Sequence, residues 1–369
     1  MNVGLIDNEL CTRKNHSFPN LAIMKLSSFH KKQGDDVKLI SFNEINPNCL
    51  FTSKFDIVYV SKVFSDTPTP DFIHSLDFIK IGGSGFYYDK AECLPYDIEH
   101  SFPDYDIYSN IPTCNNSYYT DYSIGFLTRG CIRQCSFCIN RNSKKVEHHS
   151  NIEEFYDNKR PYIMLLDDNI TAYSGFYDVF DKLDSLNTPF VFKQGMDFRL
   201  LSEKKMIRIQ NANYYSGKKK GKQSRTFFYA FDNIEDYNII EKKLKIYMSN
   251  MQYRHNLIFY VLVGFDRQNL YDDNFYKKDI EDMFKRIKLL FENGVFAYIM
   301  MHENYIKNPN SEIIQRIKRI CNVPMHIAGK TIGNALIQMK YHNTYKWIEQ
   351  NYDWFLNVKQ GFTDIKIKK

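Results

Sequence analysis

The sequence predicts an α/β protein with a small parallel sheet at the front, a longer series of strand–helix units behind it, and a helical tail. Three observations lead there. Short β-branched runs alternate with helical patterns through the first hundred residues. Six further strand patterns, separated by helical ones, fill residues 123–301. Many of these apolar strands end in charged or amide residues, as strands do when one rim of a sheet carries the chemistry.

Residues 2–6 read as the first strand, and FPNLAIMKLSSFHKKQG follows as a helix with Leu21, Met24 and Phe29 apolar and Gly34 as its stop. Residues 37–41 and 57–61 are β-branched runs of the kind buried in parallel sheets. FIKIGGSG ends another strand in a glycine turn. This alternation predicts a doubly wound, flavodoxin-like sheet. Residues 92–121, rich in Tyr, Pro, Asn and Asp, read as a connection packed down by its aromatic side chains.

The later strands are expected at residues 123–127, 162–166, 189–194, 226–231, 257–263 and 295–301. Helical patterns lie at 202–211, 234–250, 279–293 and 312–320, and residues 334–369 read as one or two helices with a basic end. We therefore divide the chain into a flavodoxin-like domain (1–110), a connection (111–122), a second domain (123–330) and a helical extension (331–369).

Composition bounds the function. With 43% apolar and 16% aromatic residues over 369 positions, the chain is globular and long enough for two domains. No run of eighteen apolar residues predicts a membrane span, and MNVGLIDNEL is not a secretory signal, so a cytoplasmic protein is expected. Net charge is +6, which permits an anionic or nucleic-acid substrate without demanding one. The basic run GKKKGKQSR reads first as a solvated loop between a helix and a strand.

The chemistry concentrates in RGCIRQCSFC. Cys131, Cys135 and Cys138, spaced C-x3-C-x2-C, put three thiols within eight residues. Three thiolates hold three irons of a [4Fe–4S] cluster and leave the fourth iron for a small molecule. A structural zinc site would need a fourth ligand, usually from a second cysteine pair, and the chain offers no such pair. Cys11, Cys49, Cys93, Cys114 and Cys321 are scattered and read as reduced packing residues.

This motif resembles the signature of the radical S-adenosylmethionine (SAM) superfamily. The resemblance implies that Cys131, Cys135 and Cys138 bind the cluster, that SAM chelates the open iron, and that Phe137 lies against its adenine. It also implies a partial (β/α)6 TIM-type barrel, which six strand–helix units fit, with the site at the C-terminal strand ends. It further implies an external electron donor of flavodoxin or ferredoxin type. FPNLAIMKLSSFH, SKVFSDTPTP, GFLTRGC and QGMDFRL resemble an uncharacterised group of bacterial and phage members, which fixes no substrate.

The barrel rule gathers a rim: Arg129; Asp167, Asp168 and Asn169; Gln194, Asp197 and Arg199; Asp232; Gly264 and Asp266; His302 and Glu303. By position, LLDDN resembles the acidic motif that meets the SAM ammonium. Arg199 is the candidate for the carboxylate, since a guanidinium grips it by a fork. Asp197 or Gln194 would reach the ribose, and Gly264 would let backbone approach adenine. Asp232 and Asp266 read equally well as helix caps.

A flavodoxin-like front domain resembles two branches of the superfamily. The cobalamin-dependent branch ligates cobalt with D-x-H-x-x-G. Here DNELCTRKNHSFPN carries His16 but has no Asp two residues before it, and Pro19 stands where glycine is needed. Ser61 and the Gly82–Gly85 run still sit where a cobalamin tail would lie, so cobalamin stays open but is not favoured. A tRNA methylthiotransferase would need a second cluster, and Cys11, Cys49 and Cys93 match in number but not in placement.

The sequence thus reads as a radical SAM enzyme that cleaves SAM reductively to a 5′-deoxyadenosyl radical and abstracts hydrogen from an unidentified substrate, RNA, nucleotide or peptide. A non-catalytic nucleic-acid-binding or regulatory iron–sulfur protein is the rival. It would need the cysteines but not the rim.

Overall fold

The β-branched runs become parallel strands. The computed structural model describes residues 1–45, 54–219, 222–250 and 257–361, and shows a mixed α/β chain with parallel sheets. The chain divides into two compact units, Met1–Asp167 and Asp168–Lys369.

In the first unit, β1 (Asn2–Asp7), β2 (Asp36–Leu39), β3 (Ile57–Ser61) and β4 (Ile79–Gly82) form a parallel sheet in the order β2-β1-β3-β4. Val3 lies opposite Val37 on one side and Ile57 on the other. Val3, Leu5 and Ile6 are fully buried, each contributing ~1.5–3 kcal/mol of apolar burial. The Leu21–Lys32 helix starts where the Asn20 side chain accepts from the amides of Ala22 and Ile23, and it buries Ile23, Met24 and Leu26. Gly34, in the left-handed region, marks its end.

The connection is packed, as its aromatics predict. Tyr108 and Tyr119 are buried against Val3, Leu5 and Ile23. Farther along, β5 (Tyr122–Gly125) pairs in parallel with Tyr162–Leu165. Between them, Thr128–Arg129 and Glu147–His148 meet as a two-residue antiparallel ladder. In chain order these are β6, β7 and, for Tyr162–Leu165, β8.

The second unit holds β9 (Phe190–Phe192) and a parallel sheet of β12 (Phe227–Ala230), β13 (Leu257–Val263) and β14 (Phe296–Met301). Along one face of this sheet Phe227, Tyr229, Phe259, Val261 and Ile299 are fully buried. The basic run is more ordered than a plain loop. Within it, β10 (Gly217–Lys219) and β11 (Lys222–Ser224) pair antiparallel. The helix expected from residue 279 begins at Asp273, because Asp272 accepts the Phe275 amide as its N-cap. The tail forms two helices, Ile332–Gln338 and His342–Leu356, and residues 362–369 of it lie outside the described residues. Among the described residues no helix is long and apolar enough to cross a membrane.

Candidate functional site

The cysteine loop hangs between β6 and β7 in the first unit. Its root is fixed by Asp167, which is buried and accepts the Thr128 hydroxyl and amide, each at 2.6 Å, and the Leu127 amide at 3.2 Å. Burial pushes the Asp167 carboxyl up to about 6 against the pull of those donors. Gly130 follows with φ +98°; a Cβ there would meet the Lys145 carbonyl oxygen at 2.3 Å, so only glycine lets the two arms of the hairpin close.

Within the loop, the Cys131 amide donates to Ser143 Oγ at 3.3 Å and the Cys138 amide to the Cys135 carbonyl at 2.9 Å. The Asn140 amide points at Cys138 Sγ, 3.4 Å away. All three cysteines are half-buried and outside any disulfide. The turn after β4 reaches this loop as well. Tyr88 Oη donates to the Phe137 carbonyl at 2.5 Å, and Asp89 accepts from Arg141 Nε at 2.7 Å and Asn142 Nδ2 at 2.8 Å.

Below the hairpin lies a charged layer that the sequence did not reveal. Glu99 pairs with Lys25 at 2.9 Å and with His149 Nε2 at 3.3 Å. Burial alone would raise the Glu99 carboxyl. The His149 bond, Lys25 and Arg129 instead hold it down to about 2. His100 pairs with Glu154 at 2.6 Å and stacks on His149 with ring centroids 5.3 Å apart.

Among the described residues no three His, Cys, Asp or Glu side chains are disposed to cage a single metal ion. A [4Fe–4S] cluster asks for something else: each thiolate takes its own iron, so the three sulfurs stand apart around a cube. Three cysteines outside any disulfide, on one loop with a pinned root, fit that group in kind and number. Cys11 and Cys93 are exposed, and Cys49 lies outside the described residues.

In the second unit six of the expected rim residues fall into three groups. Asn169, Asp197 and Arg199 are brought together through Thr171, whose hydroxyl donates to Asn169 Oδ1 at 2.6 Å and accepts the Asp197 amide at 3.3 Å. Arg199 forks onto Asp197 at 2.7 and 3.1 Å and reaches Asp236 at 2.5 Å. These three bonds use three of the five guanidinium N–H donors. Gln194 is exposed, and Asp168 opens the unit beside buried Asn169. Thr171 and Asp236 carry no motif, so only the fold could reveal them.

Gly264 forms the second group. Its φ is +83°, its amide donates to Asp279 at 2.8 Å, and a Cβ would lie 2.6–2.8 Å from Tyr305. The close approach that this glycine permits is therefore made by Tyr305.

The acids at the strand ends form the third. Asp266 is a turn cap, accepting the amides of Gln268, Leu270 and Tyr271. Asp232 is not a helix cap, since Asn233 occupies that place. Burial raises the Asp232 carboxyl to about 6, although Arg286 and Arg199 pull it down. Arg286 itself is buried and donates to the carbonyls of Phe231, Asp232 and Leu262, tying together the ends of β12 and β13.

The crevice above β1 and β3, where doubly wound sheets take ligands, is filled by the protein's own side chains. Tyr108 Oη donates to Asp7 at 2.8 Å and Asn20 Nδ2 to Ser61 Oγ at 2.9 Å, with all four residues buried. His16 Nε2 stands 3.9 Å from Asp7.

No protein-family model and no curated protein matches the chain. Among solved structures, it is similar to the cobalamin-dependent S-adenosylmethionine radical enzyme OxsB with aqua-cobalamin bound. The identity is 15% and the TM-score 0.37, over 84% of this chain and 51% of that one. The chain thus spans about half the length of that structure.

Proposed function

We propose that this chain is a radical SAM enzyme, with Cys131, Cys135 and Cys138 holding a [4Fe–4S] cluster. The observation that carries the reading is the C-x3-C-x2-C loop itself, pinned at its root by Asp167 with its thiols half-buried. When bound, the cluster supplies the electron that splits SAM into methionine and a 5′-deoxyadenosyl radical, which takes hydrogen from the substrate.

The protein's own part is to bind and orient. Phe137 flanks adenine; Gly264, on the fifth strand of the proposed (β/α)6 barrel, gives the space of its missing side chain to Tyr305 and serves the strand end. Asp168, with Asn169 behind it, meets the ammonium. Arg199 turns the two N–H donors left over from Asp197 and Asp236 to the carboxylate. Gln194 and Asp197 serve the ribose. The domain division at residues 110 and 123, a cytoplasmic setting and a flavodoxin- or ferredoxin-type reductant belong to the same proposal. RNA, nucleotide and peptide remain the substrate classes.

A cobalamin-dependent methyltransferase is disfavoured, because Tyr108 and Asn20 fill the crevice that a cobalamin tail would need. Anaerobic reconstitution tests the proposal. About four iron and four sulfide per chain are expected. Twice that would bring the methylthiotransferase reading forward, and none would end the proposal.

A further inference from the structure

The glycine turn after β4 has no assigned part in SAM chemistry, yet it is where the front sheet touches the cysteine loop. The turn itself is firmly built. The Gly85 amide donates to the Lys62 carbonyl at 2.9 Å and Ser84 Oγ to the Val63 carbonyl at 2.9 Å, so it is seated on the chain leaving β3. From that seat two side chains project to the loop on either side of Cys138. On the near side, Tyr88 donates to the carbonyl of Phe137. On the far side, Asp89, whose side chain is only 7% exposed, takes both Arg141 and Asn142.

Arg141 closes the set. Its Nη1 donates to the Ser136 carbonyl at 3.4 Å and its guanidinium lies 5.6 Å from the centre of the Tyr88 ring. Residues 136, 137, 141 and 142 are thus all tied to one turn. Tyr88 adopts φ +51°, a region that a bulky side chain enters only when its surroundings hold it there. The strain is placed where the hydroxyl meets the loop.

We propose that Tyr88 and Asp89 are positioning residues that clamp the third-cysteine end of the loop and so set the placement of Cys138. The proposal rests on the radical SAM reading for its purpose, but not for its test. In this view the front domain serves as a fixed support for the cluster loop, and its sheet needs no ligand of its own to do so.

The test starts on the full-length, metal-free protein. Hydrogen exchange of the amides in residues 131–142 is measured in wild type, Asp89→Ala, Asp89→Glu and Tyr88→Phe. Loss of a charge-assisted contact should speed exchange there by about tenfold in Asp89→Ala. Tyr88→Phe should give a smaller increase, Asp89→Glu should restore most of the protection, and β1–β4 should exchange as in wild type. Unchanged exchange in both Asp89→Ala and Tyr88→Phe overturns the clamp. So does exchange that rises equally throughout β1–β4, which would make these residues mere supports of the sheet.

After reconstitution, the electron paramagnetic resonance spectrum of the reduced cluster should differ between Asp89→Ala and wild type and revert in Asp89→Glu. An identical spectrum in all three would also count against the clamp. If wild type takes up no iron while the exchange result holds, the radical SAM reading fails and the clamp stands.

Discussion

The cysteine loop and the charged rim of the second unit solve opposite problems. The loop is held from outside itself: Asp167 fixes its root, Tyr88 and Asp89 hold its far end, and Glu99 with His149 braces the hairpin below. Its thiols stay half-buried at the surface of that support. The rim charges hold one another: Arg199 sits between two carboxylates, and Arg286 is spent on backbone carbonyls. A ligand at Arg199 must take the two N–H donors that these pairs leave over. The loop is held by residues outside it, and the rim holds the strand ends.

The largest effect should separate these regions cleanly. Replacing any one of Cys131, Cys135 or Cys138 by Ala should abolish the bound cluster, read as loss of the visible chromophore and of iron. Replacing Cys11, Cys93, Cys114 or Cys321 should leave it. A scattered cysteine that proved essential would break the contrast by adding a ligand from outside the loop.

Next in size is Arg199→Ala. It takes the guanidinium from the buried Asp197, which keeps the backbone amide of residue 199, and should cost about 3 kcal/mol in denaturant unfolding. The same variant should bind SAM about tenfold more weakly if assayed well below its Tm. Unchanged stability would mean that the rim is not self-supporting. Unchanged SAM affinity would remove Arg199 from the ligand set and leave it purely structural.

Glu99→Gln tests the brace beneath the loop. The Glu99 carboxyl is held at about 2 against burial by His149, Lys25 and Arg129, so its ionised form favours the folded state. Its contribution is present above the ordinary value of 4.5 and fades as pH falls toward 2. The variant should lose about 2 kcal/mol at pH 7 and much less at pH 3, judged by unfolding at both. Equal losses at the two values would show that the carboxylate charge is not what braces the hairpin.

The smallest expected effect is none. Protein purified with added cobalamin should retain no stoichiometric cofactor and no cobalamin spectrum, because Tyr108 already occupies Asp7. Tyr108→Ala offers the sharper version. Cobalamin binding in that variant alone would identify the crevice as closed, while binding in wild type would redirect the function toward methyl transfer.

What the sequence could disclose follows from the range of the forces involved. Strands at 57–61 and 257–263 were legible because β-branched and apolar runs of that length have few alternatives. The early start of the Asp273–Glu292 helix was missed because its buried face begins only at Ile280 and the Asp272 cap alone marks the turns before it. The cysteine motif was legible because its ligands are local. Thr171, Asp236 and Glu99 were not, because each acts on a partner tens of residues away. LLDDN divides for the same reason: Asp167 turned to the root of the cysteine loop, a role that no spacing announces.

The central claim is that the cysteine loop exists to cleave SAM. The most direct measurement is anaerobic: reconstituted protein, SAM and a strong reductant, with 5′-deoxyadenosine quantified by chromatography and mass. 5′-Deoxyadenosine should form in wild type and not in Cys138→Ala. A protein with a full, reducible cluster that binds SAM and yields none would contradict the claim.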